Sequence, residues 1–183
     1  MTDWDERYRR GEHVTDEPHP LVVRFALGRP TGIALDVACG AGRHAVWLAR
    51  MGWEVTAVDA SRAGIEIVER RARERNLVIN AVVADLERHE FEIEREAYDL
   101  IVVVNYLQRD LFPFIRAGVR PGGMVIAVIA MVDSDPNVKA MNPAYLLNPG
   151  QLRAEFAGWE ILHDFEGKHG DHRATAEIVA VLL

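Results

Sequence analysis

The stretch Ala34-Leu35-Asp36-Val37-Ala38-Cys39-Gly40-Ala41-Gly42-Arg43-His44 decides the fold. Ala34 to Val37 is short and apolar apart from Asp36, the composition of a strand covered on both faces. Helical spacing starts at Arg43. Between them, Gly40 and Gly42 let a ligand approach the backbone more closely than a side chain would permit. The free N–H groups that open the next helix add donors at the same point. A strand that runs through a glycine turn into a helix is the opening unit of a doubly wound sheet.

Working outward, short branched apolar runs alternate with longer amphipathic ones. Strands are expected at Gly32–Val37, Glu54–Asp59, Asn80–Ala84, Tyr98–Val104 and Met124–Ala130. Helices are expected at Arg43–Met51, Arg62–Asn76 with Ser61 as its cap, and Leu111–Ala117. After a proline-containing loop from Asp133 to Asn148 come a helix, Gly150–Phe156, and two strands, Trp159–Phe165 and Ala174–Leu182. The turn Gly167–Asp171 between those strands is too short for a crossover helix, so they form an antiparallel hairpin at one edge. The fold class is therefore α/β: a Rossmann-like, doubly wound sheet of seven strands, mostly parallel with the last antiparallel, and helices on both faces. Asp3–Arg10 and Pro20–Leu27 read as two helices ahead of the sheet, joined by the polar segment Gly11–His19. The chain is one domain, with 1–30 as a helical cap and 31–183 as the ligand-binding core.

The composition agrees. With 183 residues, 49% hydrophobic and 27% charged, the chain suffices for one packed core. Its formal charge of -7 gives no general attraction to a phosphate backbone, so nucleic acid is not expected as a partner. The basic run Arg70, Arg71, Arg73, Arg75 alternates with Glu69 and Glu74 and reads as a solvated helix face. No apolar run reaches the roughly 18 residues of a membrane helix, and the start has no leader-like segment, so no membrane is expected. Lone Cys39 forms neither an internal disulfide nor a multi-cysteine zinc site, which suits a cytoplasmic setting, and it reads as a small residue in a tight turn. A monomer or a homodimer fits equally.

Gly40-x-Gly42-x-x-Ala45, with Asp59 downstream, formally fits a dinucleotide fingerprint, so the glycine turn alone also allows a nicotinamide oxidoreductase. Three acidic residues separate the readings. Asp36 puts a carboxylate where a pyrophosphate would find an apolar neighbour, and so favours a ligand carrying an amine. Asp59, ending the second strand, is placed to accept from vicinal ribose hydroxyls, and Asp85, after the third, from an adenine amine. Together they describe an adenosine with a charged amino-acid tail.

These residues resemble the class I S-adenosylmethionine-dependent methyltransferases, from about Thr31 onward. The resemblance matches Asp36 to Gly42 with the family's acidic residue and Gly-x-Gly loop, although Ala38 replaces the first of three glycines. It implies cofactor contacts from Asp36, Ala38, Gly40, Gly42, Asp59, Ala60, Asp85, Leu86 and Asn105, the last where the family's backbone meets the methionine amine. Arg120-Pro121-Gly122-Gly123 resembles the family's turn before the fifth strand, and Asn105-Tyr106-Leu107-Gln108 lacks the Asn-Pro-Pro-Tyr segment of its nucleic-acid amino-methylating members. Trp4-Asp5-x-Arg7-Tyr8 is similar to the tellurite-resistance-type and thiopurine-type branch, which implies a chalcogen or thiol-like small-molecule acceptor.

Trp4, Arg7 and Tyr8, with Tyr106 and Arg109, are the candidate lid and substrate residues; the blander reading of Trp4 and Tyr8 is that they pin their helix to the domain. Aromatic faces beside a sulfonium would be attracted to its charge and would exclude water. A deprotonated acceptor needs no base, whereas a hydroxyl or amine needs one, and His13, His44, Tyr8 and Tyr145 are the candidates. His169-Gly170-Asp171-His172 sits in a turn without further ligands, so no metal is expected. The alternative outside catalysis is a sensor or partner subunit that binds S-adenosylmethionine without turning it over.

Overall fold

The computed structural model describes residues 4–170 and 172–183. Asp3 of the first expected helix and Asp171 of the histidine-containing turn lie outside them. Seven strands form one sheet in the order β3-β2-β1-β4-β5-β7-β6. The strands are β1 (Ile33–Val37), β2 (Glu54–Asp59), β3 (Ile79–Val83), β4 (Tyr98–Val104), β5 (Val119–Ala130), β6 (Glu160–Gly167) and β7 (Thr175–Val181). β1 pairs in parallel with β2 and β4, β2 with β3, and β4 with β5, while β7 runs antiparallel to both β5 and β6. The hairpin therefore enters with its second strand inside and its first at the edge. The strand order reverses between β1 and β4, so their carboxyl ends flank the crevice where open sheets of this kind bind ligands.

The helices are α1 (Trp4–Arg9), α2 (Pro20–Ala26), α3 (Arg43–Arg50), α4 (Arg62–Glu74), α5 (Phe112–Gly118) and α6 (Gln151–Glu155). On one face Leu21, Val22, Ala45, Leu48, Ile65 and Val68 from α2, α3 and α4 pack on Ala34, Val102, Ile126 and Val179. On the other, Phe112, Ile115, Leu152 and Phe156 from α5 and α6 pack on Leu35, Ile101, Val125 and Ile178. Adjacent strand residues alternate between these layers, which is why the strands read as continuously apolar.

Two expectations need correction. Arg120-Pro121-Gly122-Gly123 is not a turn ahead of β5 but an irregularity within it: Val119 already pairs with Tyr98, and the register shifts before Leu100 meets Met124. Gly122 and Gly123 exchange backbone bonds with Leu182, at 2.7 and 3.0 Å. The Arg70–Arg75 face is not uniformly solvated, because Arg71 turns inward and is only 6% exposed. The i,i+4 pairs Arg70–Glu74 and Arg73–Glu69 do lie outside.

Candidate active site

Asp36, the fourth residue of β1, is 1% exposed. Its Oδ2 accepts from the Ala45 N–H at 3.0 Å in the first turn of α3, so the carboxylate fastens strand to helix across the glycine loop. Its Oδ1 lies 3.8 Å from His44 Nδ1. Between these anchors alternate residues are left-handed, with φ of 50° at Ala38, 56° at Gly40 and 74° at Gly42. Glycine is at ease in that region; Ala38 is not. A Cβ on Gly40 would collide with the Tyr8 hydroxyl, and one on Gly42 would stand 2.6 Å from a Val68 methyl.

Asp59 closes the loop from the β2 side. Its Oδ2 accepts from Gly40 N–H at 2.7 Å and its Oδ1 from Ser61 N–H at 2.8 Å. Burial pushes its pKa above the usual carboxylate value against these two bonds, with Asp36 and Asp5 adding repulsion. Both oxygens keep a further lone pair for another donor. Ala60 beside it is exposed. Asp85 caps a 3₁₀ turn, Leu86–Arg88, by accepting from Glu87 N–H at 3.0 Å. Leu86 is buried behind it, and its carbonyl accepts from Gln108 Nε2. Tyr106 donates to Gln108 Oε1 at 2.7 Å, so the tips of β3 and β4 are joined through Tyr106, Gln108 and Leu86. Asn105 is exposed with φ of 61°, its N–H bonded to Val128 O. All the expected cofactor residues thus gather along one edge of the sheet.

α1 lies over this edge. Asp5 Oδ1 accepts from the Ser61 hydroxyl and from Ala63 N–H at 3.1 Å, which docks α1 on the start of α4. These bonds hold the Asp5 carboxyl below its ordinary value. Tyr8 is partly buried against Gly40 and Gly64, and that burial, with Asp59 nearby, raises its hydroxyl pKa. Trp4 stacks on Tyr8 at 5.8 Å, with His13 edge-on at 5.6 Å and the Arg7 guanidinium 4.9 Å above its ring.

Other expected residues have different company. Arg109 donates to the carbonyls of Ala144 and Leu146, both at 2.9 Å, and so straps the loop after β5. Arg7 is paired with Glu12 at 2.9 Å. Tyr145 is 44% exposed within that strapped loop, and His13 is exposed. His44 is 3% exposed, and its Nε2 has no hydrogen-bond partner among the described residues. Cys39 is buried, and burial with two neighbouring carboxylates pushes its thiol pKa well up. His169 stacks on Phe165 and contacts Glu177 through Nε2 at 2.7 Å.

Three features escaped the sequence reading. Gly64 of α4 is needed because a Cβ there would meet the Gly40 carbonyl oxygen at 2.9 Å. Arg71 reaches the loop from the same helix, donating to Ala41 O at 2.6 Å. Glu177 lies 2% exposed within β7, opposite Val128, with His163 and His169 against its two oxygens at 3.1 and 2.7 Å. Its charge also reaches His19, whose pKa burial lowers and Glu177 draws back up. A lone carboxylate inside an apolar strand was the available signal for it.

Comparison with known proteins agrees with this geometry. A family model described as a methyltransferase domain matches residues 34–123. A protein from Haemophilus influenzae named probable S-adenosyl-L-methionine-dependent methyltransferase TehB is 27% identical over 180 residues, covering 94% of this chain and 61% of that protein. One named hemagglutinin 1, from Eikenella corrodens, is 33% identical over 135 residues, 70% of this chain and 44% of its own. The chain thus spans less than two thirds of these curated relatives. The crystal structure of TehB from Haemophilus influenzae superposes with a TM-score of 0.80 at 23% identity, over 98% of this chain and 67% of that one, which shows the common fold. By its glycine loop, its acidic strand tips and these matches, the chain carries a methyltransferase domain over residues 34–123 and is similar in sequence and fold to the TehB proteins named as S-adenosylmethionine-dependent methyltransferases.

Proposed function

We propose that the protein transfers the methyl group of S-adenosylmethionine to a small-molecule acceptor, a thiol, a chalcogen oxyanion or a similarly polarisable nucleophile, by in-line displacement. The observation that carries the reading is the double use of Asp59, which holds the Gly40 and Ser61 N–H groups and keeps lone pairs facing the same edge. The residues fit the cofactor. The glycine loop is closed over by Tyr8, whose hydroxyl takes the space beside Gly40, and buried His44 Nε2, without a hydrogen-bond partner among the described residues, is a polar atom a ligand could satisfy. Asp36 supplies negative potential where an amine would rest, Asp59 acceptors for a ribose, and Asp85 one for an adenine amine. When bound, the cofactor supplies a methyl group on a positively charged sulfur.

The chain's own contribution is positioning and exclusion of water. Tyr8 reaches the glycine loop with its hydroxyl and Trp4 is stacked on it beneath Arg7, so the pair covers the site and helps to exclude water. With Arg109 held by backbone carbonyls and Arg7 by Glu12, neither guanidinium is left as a dedicated anion clamp. That favours acceptors recognised by shape and polarisability over charge alone. A lone buried thiol fits a cytoplasmic setting.

The test is a methyl-labelled cofactor offered with aryl and alkyl thiols, selenite, phenols and amines. Label transferred to a thiol or to selenite supports the reading. Tight cofactor binding without transfer to any of them overturns it in favour of a sensor or partner subunit.

A further inference from the structure

The Arg71 side chain is 8% exposed, and its guanidinium makes two short contacts, one from each terminal nitrogen. Nη1 donates to the carbonyl of Ala41, the residue between the left-handed Gly40 and Gly42, at 2.6 Å. Nη2 meets Asp16 Oδ1, also at 2.6 Å, in the segment joining α1 to α2. Asp16 Oδ2 is held at 2.8 Å by Nη2 of Arg75, which caps the end of α4. A buried guanidinium is costly unless its donors are used, and its planar fork can serve two acceptors at once in a way that a lysine ammonium on a flexible stem cannot.

We infer that Arg71 is a positioning residue for cofactor binding, tying the N-terminal cover to the glycine loop through Asp16 and the Ala41 carbonyl. The cover is then fastened to α4 twice, by Asp5 at Ser61 and Ala63 and by Asp16 at Arg71 and Arg75. Each fastening touches an element that shapes the site. Ser61 gives its N–H to Asp59, and Arg71 holds the loop carbonyl. Closing the cover and setting the loop become one equilibrium, so whatever binds under the cover stabilises both, and loosening either weakens binding by linkage. The inference rests on the proposed function, since it needs a ligand in the loop.

The test compares the full chain with Arg71→Lys, Arg71→Met and Asp16→Asn by calorimetric titration with S-adenosylhomocysteine. Denaturation midpoints without ligand, and tryptic cleavage after Arg9 and Arg10 with and without it, are measured alongside. Arg71→Met is expected to weaken binding about tenfold or more, and Arg71→Lys to recover part of the loss, because an ammonium reaches one acceptor but does not bridge both. Asp16 is exposed, so Asp16→Asn should fold normally, bind a few-fold more weakly, and lose the protection from trypsin that the ligand confers on the wild type. Wild-type affinity and protection in Asp16→Asn would overturn the inference, whether or not Arg71→Met folds. A wild-type chain that fails to bind S-adenosylhomocysteine would overturn the functional reading beneath it.

Discussion

Replacing Gly64 by alanine sets two effects of opposite sign against each other. Gly64 lies in the first turn of α4, where alanine would ordinarily stabilise a helix by about 1 kcal/mol. Here the added Cβ would stand 2.9 Å from the Gly40 carbonyl oxygen, 3.2 Å from its carbonyl carbon and 3.3 Å from Tyr8 Cδ2. Ordinary contact begins at 3.4 Å, so the closest approach is too short by 3.4 − 2.9, about 0.5 Å. Two of the three atoms are backbone, in a loop already held by Asp59 and by the Cys39 N–H on Val58 O, so the strain is not relieved by a rotamer change. Overpacking of this kind costs roughly 1–3 kcal/mol, which outweighs the propensity gain and leaves a net loss of about 1 kcal/mol. The loop must also retreat from the atoms that bind the cofactor, so affinity for S-adenosylhomocysteine should fall about tenfold. Urea denaturation gives the first quantity and calorimetric titration the second. A variant more stable than wild type by the full propensity term, with unchanged affinity, would refute the close packing of α4 on the loop.

Asp59→Asn exchanges one carboxylate oxygen for an amide N–H₂ that faces a backbone donor. It should lower stability by about 1–2 kcal/mol, because the lost charged hydrogen bond, worth about 1.5–3 kcal/mol, is offset by relief of a buried charge, and it should abolish measurable cofactor binding. Stability and affinity at wild-type values would remove Asp59 from the site. Ala38→Gly should stabilise the chain by about 0.5 kcal/mol, since relief of a left-handed alanine, about 1–2 kcal/mol, exceeds the added freedom of the unfolded chain; a loss near 1 kcal/mol would show that Ala38 is unstrained. Hydrogen bonding lowers the Asp5 carboxyl below 3.8, so its fastening of α1 is complete above that value and is lost as pH falls through the lower folded value. The Ala63 amide proton, followed by NMR, should therefore shift only in acid below pH 3.8, and a midpoint above it would contradict that bond.

The sheet was legible because each buried strand is a run of branched apolar residues, and the acidic ends of β1 and β2 marked its carboxyl edge. What failed to show in the sequence depends on contacts between distant segments. Arg71 sits one residue from Arg70, and so about 100° around α4, which places it against Ala41 while its neighbours pair in solvent. Gly64 looked like an ordinary helix residue because the atom it makes room for lies 24 residues earlier. Arg109, read as a ligand for substrate, spends its donors on Ala144 and Leu146, a role that only the folded loop after β5 reveals. Gly122 and Gly123 are held within β5 because Leu182, far along the chain, supplies their backbone partners.

A crystal structure of the chain with S-adenosylhomocysteine tests the central claim most directly. The account predicts the nucleoside along the tips of β1 to β4, its ribose hydroxyls on Asp59, its amino-acid tail beside Asp36 and the glycine loop, and Tyr8 closed above it. The ligand bound elsewhere, or Asp59 facing only its two backbone donors with the ribose out of reach, would contradict it.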